Sequence, residues 1–400
     1  MLRGRRVGAV VAVLAALALA GGCREPLRGD EARGDRIDRE APIDPGWVAS
    51  TLPAPDGGAE RLMVRDVAAC ADRWFLVGGA VAADGTERPV AWRSGDGRSW
   101  EPLAVDAESF YGRRAVLYAV ACRDGRLAAL GARAGGVHGN PRVTGWRQTD
   151  DGFLAEVPAP FELFGGPTAA SVARMAGGPS GWLIVGNRIS GAAAWVTGDP
   201  AAFEIVEAAP GLASDAAGRT WAFDATAGPG GWLAVGGIGR SGRVERDPVA
   251  WVSRDGRGWQ RQEVPAITGY DELQRVTVVD GHRIAVGPRG TTFGTWRDDG
   301  SGWVPAGRFG STEGGGTATV SGLVGIDGQL YAAVSDGTAQ RLWISDDEGG
   351  SWRPMRGPVP NLPAGAARAV TLGTQGHRLV LAVDDGTHST LWSTGTPVPG

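Results

Sequence analysis

The chain has 400 residues, of which 42% are hydrophobic, and it contains 16 Trp, 66 Gly and 25 Pro. This composition supplies enough apolar surface for a large core and many turns, which favours numerous short strands. The net charge is only −4, all 40 basic residues are Arg, and they form no basic stripe, which excludes nucleic-acid binding as a function. Length alone leaves the domain count open, because a repeat architecture can absorb such a length as one domain.

The N-terminus reads MLRGRRVGAVVAVLAALALAGGC, a basic start followed by an apolar run and small residues before Cys23. This pattern is typical of an export signal, and residues 1–22 are predicted to be a signal peptide. The run from Val7 to Ala20 is shorter than the roughly 20 apolar residues that a permanent membrane anchor needs. AGGC resembles the bacterial lipobox, which implies a lipid on Cys23, and ordinary cleavage after Ala18-Leu19-Ala20 is the alternative.

Residues 24–42 carry dense mixed charge and almost no large apolar side chain. Such a composition cannot offset the entropy lost on ordering, so residues 23–42 are predicted to be a flexible tether that precedes a domain at 43–400. The predicted location is the extracytoplasmic side of the cell membrane, with the lipid as the membrane anchor. Arg5-Arg6 leaves open whether export follows the general or the twin-arginine route.

A Trp-centred unit recurs seven times after the tether, at intervals of 45 to 56 residues. Its lead residues are Trp92, Trp146, Trp195, Trp251, Trp296, Trp343 and Trp392. An apolar run such as WFLVGG precedes each lead Trp, another short run precedes that one, and a fourth follows the Trp. Four short strands cannot bury both of their faces alone, so neighbouring units must stack face to face. The predicted fold is all-β, a seven-bladed β-propeller of four-stranded antiparallel blades, and an open solenoid is the alternative.

The seventh unit, STLWSTGTPVPG, lacks a fourth strand, whereas PGWVASTLPA near the N-terminus stands before any complete unit. Trp47 precedes Trp92 by 45 residues, which is one ordinary repeat. We therefore expect the strand that begins at Trp47 to pair with the Trp392 strand. An N-terminal strand would then complete the last blade and close the ring.

The link between the third and fourth strands of a unit resembles the Asp-box of bacterial-neuraminidase-type (BNR-like) repeats, S-x-D-x-G-x-x-W. The match is complete in the sixth unit, at Ser345, Asp347, Gly349 and Trp352. The motif is one residue shorter in the first unit, at Ser94, Asp96 and Trp100, and in the fourth, at Ser253, Asp255 and Trp259. We expect a structural role for them, because Asp and Ser bond turn amides, Gly allows positive φ and Trp docks its ring between sheets.

The inner strands of a propeller surround a central channel, and aligning the units on their second strands gives one equivalent inner-strand position in each. The residues at that position are Asp66, Tyr118, Arg174, Asp224, Arg275, Ser321 and Val370. This ring of seven residues is mostly polar and mixed in charge, whereas repeats usually share one chemically inert residue at an equivalent position. We therefore expect a channel-mouth site for a polar, sugar-like or anionic ligand. Asp–Arg pairs and waters that only seal the channel are the alternative.

The Asp-box resemblance implies one alternative function, a neuraminidase-like glycoside hydrolase acting on extracellular glycans. Such enzymes have an arginine cluster, a Tyr–Glu nucleophile pair and an acidic proton donor on a six-bladed propeller. This chain has only four Tyr, seven units and no Glu in the ring. Asp66 and Asp224 lie three blades apart, which is too far for the roughly 5–10 Å between paired catalytic carboxylates. No catalytic residue is therefore assigned.

The remaining chemistry-bearing residues are few. The four His share no ligand spacing, so no metal and no cofactor is predicted. Cys70 and Cys122 occupy equivalent places in adjacent units, which leaves two alternatives open, a disulfide between them or two buried thiols. The predicted function is non-catalytic: a monomeric module that binds an envelope protein or a polar, glycan-type ligand, or that scaffolds an envelope complex, as similar bacterial propeller lipoproteins suggest.

Replacing Cys23 with Ser removes the sulfur to which the predicted lipid would be joined, so the protein is expected to leave the membrane fraction. Membrane fractionation followed by immunoblotting checks this outcome. Arg24→Gln, at the neighbouring residue, is the matched control and should stay with the membranes. If Cys23→Ser also remains membrane-bound, the lipidation hypothesis is wrong.

Overall fold

The computed structural model describes residues 41–135, 141–267, 269–365 and 367–394. The predicted signal peptide, Cys23 and all but the last two residues of the predicted tether lie outside these ranges. Helix in the described ranges is confined to a 3-10 turn at Gly112–Arg114 and an α-helical turn at Phe161–Phe164. Neither is long and apolar enough to cross a membrane.

Seven antiparallel four-stranded sheets form the blades of a β-propeller, which confirms the predicted fold class. The inner strands of blades 1 to 7 are Arg61–Cys70, Val116–Arg123, Ala169–Gly178, Arg219–Gly228, Arg275–Val279, Thr319–Ile326 and Ala369–Gln375. The second strands are Arg73–Val81, Arg126–Arg133, Gly181–Arg188, Gly231–Gly239, His282–Arg289, Gln329–Ser335 and Arg378–Asp384.

The outer half of each blade holds the lead Trp and the short fourth strand. The third strands are Glu87–Ser94, Arg142–Gln148, Gly191–Thr197, Arg246–Ser253, Thr292–Asp298, Ala339–Ser345 and Ser389–Thr394. The fourth strands are Glu101–Leu103, Leu154–Val157, Glu204–Val206, Gln260–Glu263, Trp303–Phe309, Arg353–Met355 and, in blade 7, Trp47–Ser50. Two additional short strands, Val105–Asp106 and Leu362–Pro363, pair with blades 2 and 6.

The hydrophobic core lies between neighbouring blades. Between blades 3 and 4, for example, Leu183 and Val185 belong to the same buried cluster as Trp232 and Ala234. The second strands are buried on both faces because each blade has a neighbour on either side, which explains their continuous apolar runs.

The lead Trp side chains fasten one blade to the next. Six of them contribute a buried ring and Trp392 a partly buried one, and several donate the indole N–H to a carbonyl of the segment that enters their blade. These bonds are Trp92 to Pro53 (3.0 Å), Trp195 to Leu163 (2.6 Å), Trp251 to Gly211 (2.9 Å) and Trp296 to Pro265 (2.9 Å). The repeated Trp therefore fixes the connections between blades as well as filling the core.

An N-terminal strand completes blade 7, as predicted. Trp47–Ser50 pairs antiparallel with the third strand of that blade, with Trp47 opposite Thr394 and Ser50 opposite Leu391. The Trp47 indole donates to the Arg356 carbonyl oxygen at 2.8 Å. Ile43 exchanges backbone hydrogen bonds with Pro354 and Arg356 at 2.9 and 2.7 Å, so the segment also grips blade 6. The ring is thus closed by residues more than 300 positions apart in the sequence.

A disulfide also links adjacent blades. Cys70 and Cys122 are bonded across the inner strands of blades 1 and 2, with their Cα atoms 5.4 Å apart. Their equivalent places in adjacent repeats explain the short separation, since stacked blades bring equivalent residues side by side.

Deletion of residues 43–53 is expected to lower Tm by about 10 °C or more, because it exposes an unpaired strand edge and the apolar face of blade 7. Thermal melting followed by circular dichroism measures the effect. Val48→Ala is the control, because the Val48 side chain points outward and is 45% exposed. An unchanged Tm after the deletion would refute the closing role of this segment.

Candidate functional site

The inner strands carry a recurrent β-bulge near the channel. The register with the second strand shifts at Val64/Asp66, Val172/Arg174 and Ala222/Asp224 in blades 1, 3 and 4. A second-strand glycine lies opposite each bulge. A Cβ on Gly78 would lie 1.7 Å from the Met63 carbonyl oxygen, and one on Gly236 would lie 1.8 Å from that of Trp221. The glycine after the apolar run of the repeat therefore makes room for the bulged inner strand.

Four predicted ring residues share one structural position. Asp66, Arg174, Asp224 and Arg275 pair in register with Val77, Val185, Val235 and Val286 of the second strands. The equivalent residues in blades 2, 6 and 7 are Ala119, Gly322 and Thr371. Tyr118, Ser321 and Val370 therefore lie one residue earlier than the sequence alignment placed them. Tyr118 and Ser321 are the bulged residues of blades 2 and 6, where the register shifts at Leu117/Ala119 and Val320/Gly322. Spacing along the chain does not distinguish a bulged residue from its neighbour.

The Asp66 carboxylate joins four blades. It accepts hydrogen bonds from Thr371 Oγ1 at 3.0 Å, Val67 N at 3.1 Å and Val120 N at 3.0 Å. Arg174 Nη1 lies 3.2 Å from Asp66 Oδ2. Because these donors come from blades 7, 1, 2 and 3, Asp66 has a structural role and little remaining capacity for a ligand.

The three other shared-position residues form an electrostatic network across the channel. Burial raises the pKa of Asp224, against the opposing charges of Arg275 and Arg174. Burial lowers the pKa of Arg174, but the attraction of Asp66 and Asp224 outweighs it and raises the pKa overall. Burial and the charge of Arg174 lower the pKa of Arg275 to about 10. The network therefore holds Arg174 firmly as a cation and leaves Arg275 the less compensated of the two.

Arg275 has unused hydrogen-bonding capacity. Its Nη1 donates to the Gln274 carbonyl oxygen at 2.6 Å, while its buried Nε has no partner. Among the described residues, no carboxylate lies within ion-pair distance of Arg275. A buried donor without a partner is uncommon in folded proteins and marks a place where a ligand or ion can bind.

A cavity of about 520 Å³ opens beside Arg275 at the end of the channel where the inner strands begin. We call it the mouth pocket. Its charged lining residues are all arginines: Arg65, Arg174, Arg275 and Arg368. Its neutral polar lining residues are Thr317, Thr319, Ser321, Ser335 and Gln340. Four of the seven predicted ring residues thus meet in this pocket, namely Arg174, Arg275, Ser321 and Val370, whereas Asp66, Tyr118 and Asp224 do not line it.

Two arginines of the mouth pocket were not predicted from the sequence. Arg65 is the bulged residue before Asp66, and it pairs with the buried Asp384, which also binds Arg61 at 2.8 Å. Arg368 precedes the inner strand of blade 7 and donates to the carbonyl oxygens of Ala364 and Asp385. The bulged position recurs in other blades with other residues, such as Tyr118 and Ser321, and Arg368 lies outside the strands. An alignment of strands therefore gives no signal for either arginine.

Tyr118 faces away from the mouth pocket. Burial raises the pKa of its hydroxyl, which donates to the Val172 carbonyl oxygen at 3.1 Å. The Tyr118 ring lines a separate, mostly apolar cavity between blades 2 and 3. Tyr118 therefore belongs to this cavity between blades 2 and 3 and not to the predicted channel-mouth site.

A Tyr–Glu pair, Tyr270 and Glu272, lies before the inner strand of blade 5. Tyr270 Oη donates to Glu272 Oε2 at 2.8 Å, and burial together with the charge of Glu272 raises the pKa of this tyrosine. Glu272 also binds Arg246 and Gln274 at 2.7 and 2.6 Å. Neither residue lines the mouth pocket, and a raised pKa opposes nucleophilic use of Tyr270. Among the described residues, no cluster of His, Cys, Asp or Glu could hold a metal ion.

The turns that resemble Asp-boxes are bonded internally. Ser94 Oγ accepts the Gly97 N–H at 2.9 Å, and Asp96 Oδ1 accepts those of Arg98 and Ser99 at 2.8 and 2.7 Å. The same pattern of turn bonds occurs at Ser253 and Asp255 and at Ser345 and Asp347. The indole-bearing residues that follow are buried, namely Trp100, Trp259 and Trp352. Backbone N–H donors occupy these carboxylates, so the role of the carboxylates is to stabilise the turns.

Comparison with known proteins adds support for the fold. No protein-family model matches the chain, and no curated protein matches it by sequence. The β-propeller domain of Cps50 (Swd1) from Myceliophteria thermophila is 12% identical with a TM-score of 0.51, over 87% of this chain and 100% of that one. The β-propeller domain of the Trilobed protease from Pyrococcus furiosus is 10% identical with a TM-score of 0.50, over 86% and 97%.

Sialidases are also among the similar structures. The Trypanosoma rangeli sialidase in complex with the inhibitor DANA is 11% identical with a TM-score of 0.46, over 87% of this chain. This chain spans only 59% of the length of that sialidase chain. At such low identities, the likenesses to the two propeller domains with TM-scores of 0.50 and 0.51 show the propeller fold alone.

Asp96 provides a test of the turns through pH. Burial raises the pKa of its carboxyl, but N–H donors of Ser99 and Arg98 and the Ser94 hydroxyl outweigh burial and lower it from 3.8 to about 2. A carboxyl whose pKa is lower in the folded state stabilises the fold above its unfolded pKa, and this contribution is lost as the pH falls towards 2.

Asp96→Ala is accordingly expected to lower Tm by roughly 1–3 °C at pH 6, and by about half as much at pH 3. Thermal melts at the two pH values measure the difference, with Asp106→Ala as an exposed-carboxylate control. An equal decrease in Tm at both pH values would contradict the role assigned to the Asp96 charge.

Proposed function

We propose that this propeller is a non-catalytic binding module that takes a small, polar, anionic ligand in the mouth pocket. The observation that carries the proposal is the lining of this pocket, in which four arginines meet and no carboxylate takes part. We further propose that a lipid on Cys23 holds the module on the extracytoplasmic side of the cell membrane, so that the ligand belongs to the envelope or its surroundings.

The charge distribution favours an anion over a neutral ligand. Arg174 is compensated by Asp66, and Arg65 shares the buried Asp384 with Arg61. Arg275 and Arg368 form no ion pair with the described residues, so they leave the pocket with excess positive charge. Low-dielectric walls strengthen the field of that charge inside a concave site. The guanidinium groups can bind a carboxylate or sulfate through two parallel hydrogen bonds.

The neutral side chains favour a ligand that also carries hydroxyl groups. Hydroxyls from Thr317, Thr319 and Ser335 and the amide of Gln340 line the same cavity, and its volume of about 520 Å³ lies in the range of small-molecule sites. A sugar acid combines one negative charge with several hydroxyls and therefore matches both the arginines and the neutral polar side chains of the lining.

A glycoside hydrolase is a weaker interpretation of this site. Of the two channel carboxylates, Asp66 accepts backbone N–H groups and pairs with Arg174, and Asp224 accepts the Val276 N–H. Neither lines the mouth pocket. A hydrolase needs one carboxyl group as a proton donor beside the scissile bond. Binding without turnover is the function that these residues support best.

Isothermal titration calorimetry with glucuronate, sulfate and glucose tests the proposal. Glucuronate and sulfate are expected to bind, and glucose, which shares the ring hydroxyls but lacks the charge, should bind at least about tenfold more weakly than glucuronate. Arg275→Gln should weaken glucuronate binding by about tenfold or more.

Arg93→Gln is the matched control, because Arg93 pairs with the exposed Glu101 on the outer strands of blade 1. It should leave the affinity unchanged. Arg368→Gln provides a second test if Arg275→Gln fails to fold, and it should weaken glucuronate binding in the same way. Absence of binding for both glucuronate and sulfate at about 10 mM, or equal affinity for glucuronate and glucose, would overturn the proposal.

A further inference from the structure

A second site lies between blades 2 and 3, away from the mouth pocket. Two adjoining cavities of about 700 and 530 Å³ share the wall formed by Arg142 and Phe161. Their other lining residues are mostly apolar, including Tyr111, Pro141, Val143, Phe164 and Val172. We call the two cavities together the blade 2 groove. Volumes of this size and a mostly apolar lining are typical of small-molecule sites.

The walls of the groove are held rigidly. Phe161–Phe164 forms the α-helical turn of the segment that enters blade 3. The lead residue Trp195 donates its indole N–H to the Leu163 carbonyl oxygen at 2.6 Å, and Phe164 packs on the Trp195 ring with centroids 6.0 Å apart. Arg188 donates to the Gly165 carbonyl oxygen at 2.9 Å. The groove is therefore preformed, which lowers the entropic cost of binding.

Arg142 is the unusual residue of this groove. Its guanidinium carbon lies 4.4 Å from the centroid of the Phe161 ring and 5.8 Å from that of Tyr111. Its Nε is buried without a hydrogen-bond partner, and Arg142 forms no ion pair with any described residue. The aromatic contacts fix the plane of the guanidinium but use none of its N–H groups. A rigid cation with unused donors therefore lies in an apolar groove.

Among the described lining residues of the groove, no other charge could satisfy Arg142. Glu156 is the one carboxylate among the lining residues, and its oxygens already accept the N–H groups of Glu108 and Ser109 and the Ser109 hydroxyl. An isolated charge in apolar surroundings is costly unless it is paired. One guanidinium matches one carboxylate in charge and in its two parallel hydrogen bonds, whereas a dianionic phosphate would leave a charge unpaired.

We propose that the blade 2 groove binds an apolar or aromatic monocarboxylic acid, with the carboxylate on Arg142 and the apolar body between Phe161, Phe164 and Val143. This ligand class differs from the hydroxyl-rich anion of the mouth pocket, and the two sites do not share a lining residue. The proposal stands independently of the function assigned to the mouth pocket.

Calorimetric titration with 4-biphenylcarboxylate and with its neutral isostere, 4-biphenylcarboxamide, tests this inference on the folded protein. The acid is expected to bind, and the amide should bind at least about tenfold more weakly because it lacks the charge that pairs with Arg142. Arg142→Gln should reduce the affinity for the acid by about tenfold or more and leave that for the amide nearly unchanged. Few contacts are lost in this variant, since the Arg142 guanidinium makes no hydrogen bond with the described residues.

Arg114→Gln is the matched control. Arg114 also lies on an aromatic ring, 4.2 Å from the Phe110 centroid, but it does not line the groove, so its removal should not change the affinity. Equal affinities for acid and amide, or no binding of the acid, would overturn the proposal. It would also be overturned if Arg275→Gln, in the mouth pocket, abolished binding of the acid while Arg142→Gln did not.

Discussion

Pairing between Trp47–Ser50 and Ser389–Thr394 is the interaction on which the rest of the propeller depends. Each blade covers its apolar faces with its two neighbours, and only a closed ring provides every blade with both. Closure also brings the inner strands of blades 7, 1, 2 and 3 close enough for the Asp66 carboxylate to receive donors from all four. The channel and the arginines at its mouth are consequences of the same constraint.

The fold was predictable because its determinants recur. A lead Trp every 45 to 56 residues, an apolar run ending in glycine, and an N-terminal fragment of one repeat together predict the blade count and the closing strand. Each of these signals has one physical cause, since the Trp fastens the entering segment and glycines such as Gly78 accommodate the bulged inner strand. At these positions the local sequence preference and the overall fold favour the same structure.

The candidate sites were only partly predictable. Asp66, Arg174, Asp224 and Arg275 could be placed together because they occupy a regular strand position. Tyr118 and Ser321 are the bulged residues next to that position, and the hydrophobic pattern does not distinguish a bulged residue from its neighbour. The other three arginines lie outside that position: Arg65 at a bulge, Arg368 before a strand and Arg142 at the start of a strand. Blade packing rather than sequence spacing brings them to their cavities.

The division of blade 7 between the two ends of the chain also has a consequence for folding. Trp47 and Thr394 can meet only when nearly the whole chain is available, so ring closure is a late, high-contact-order step. The mouth pocket draws residues from both sides of that seam, with Arg65 from blade 1 and Arg368 from blade 7. The pocket therefore forms with this last step, and a truncated chain would contain blades without the pocket.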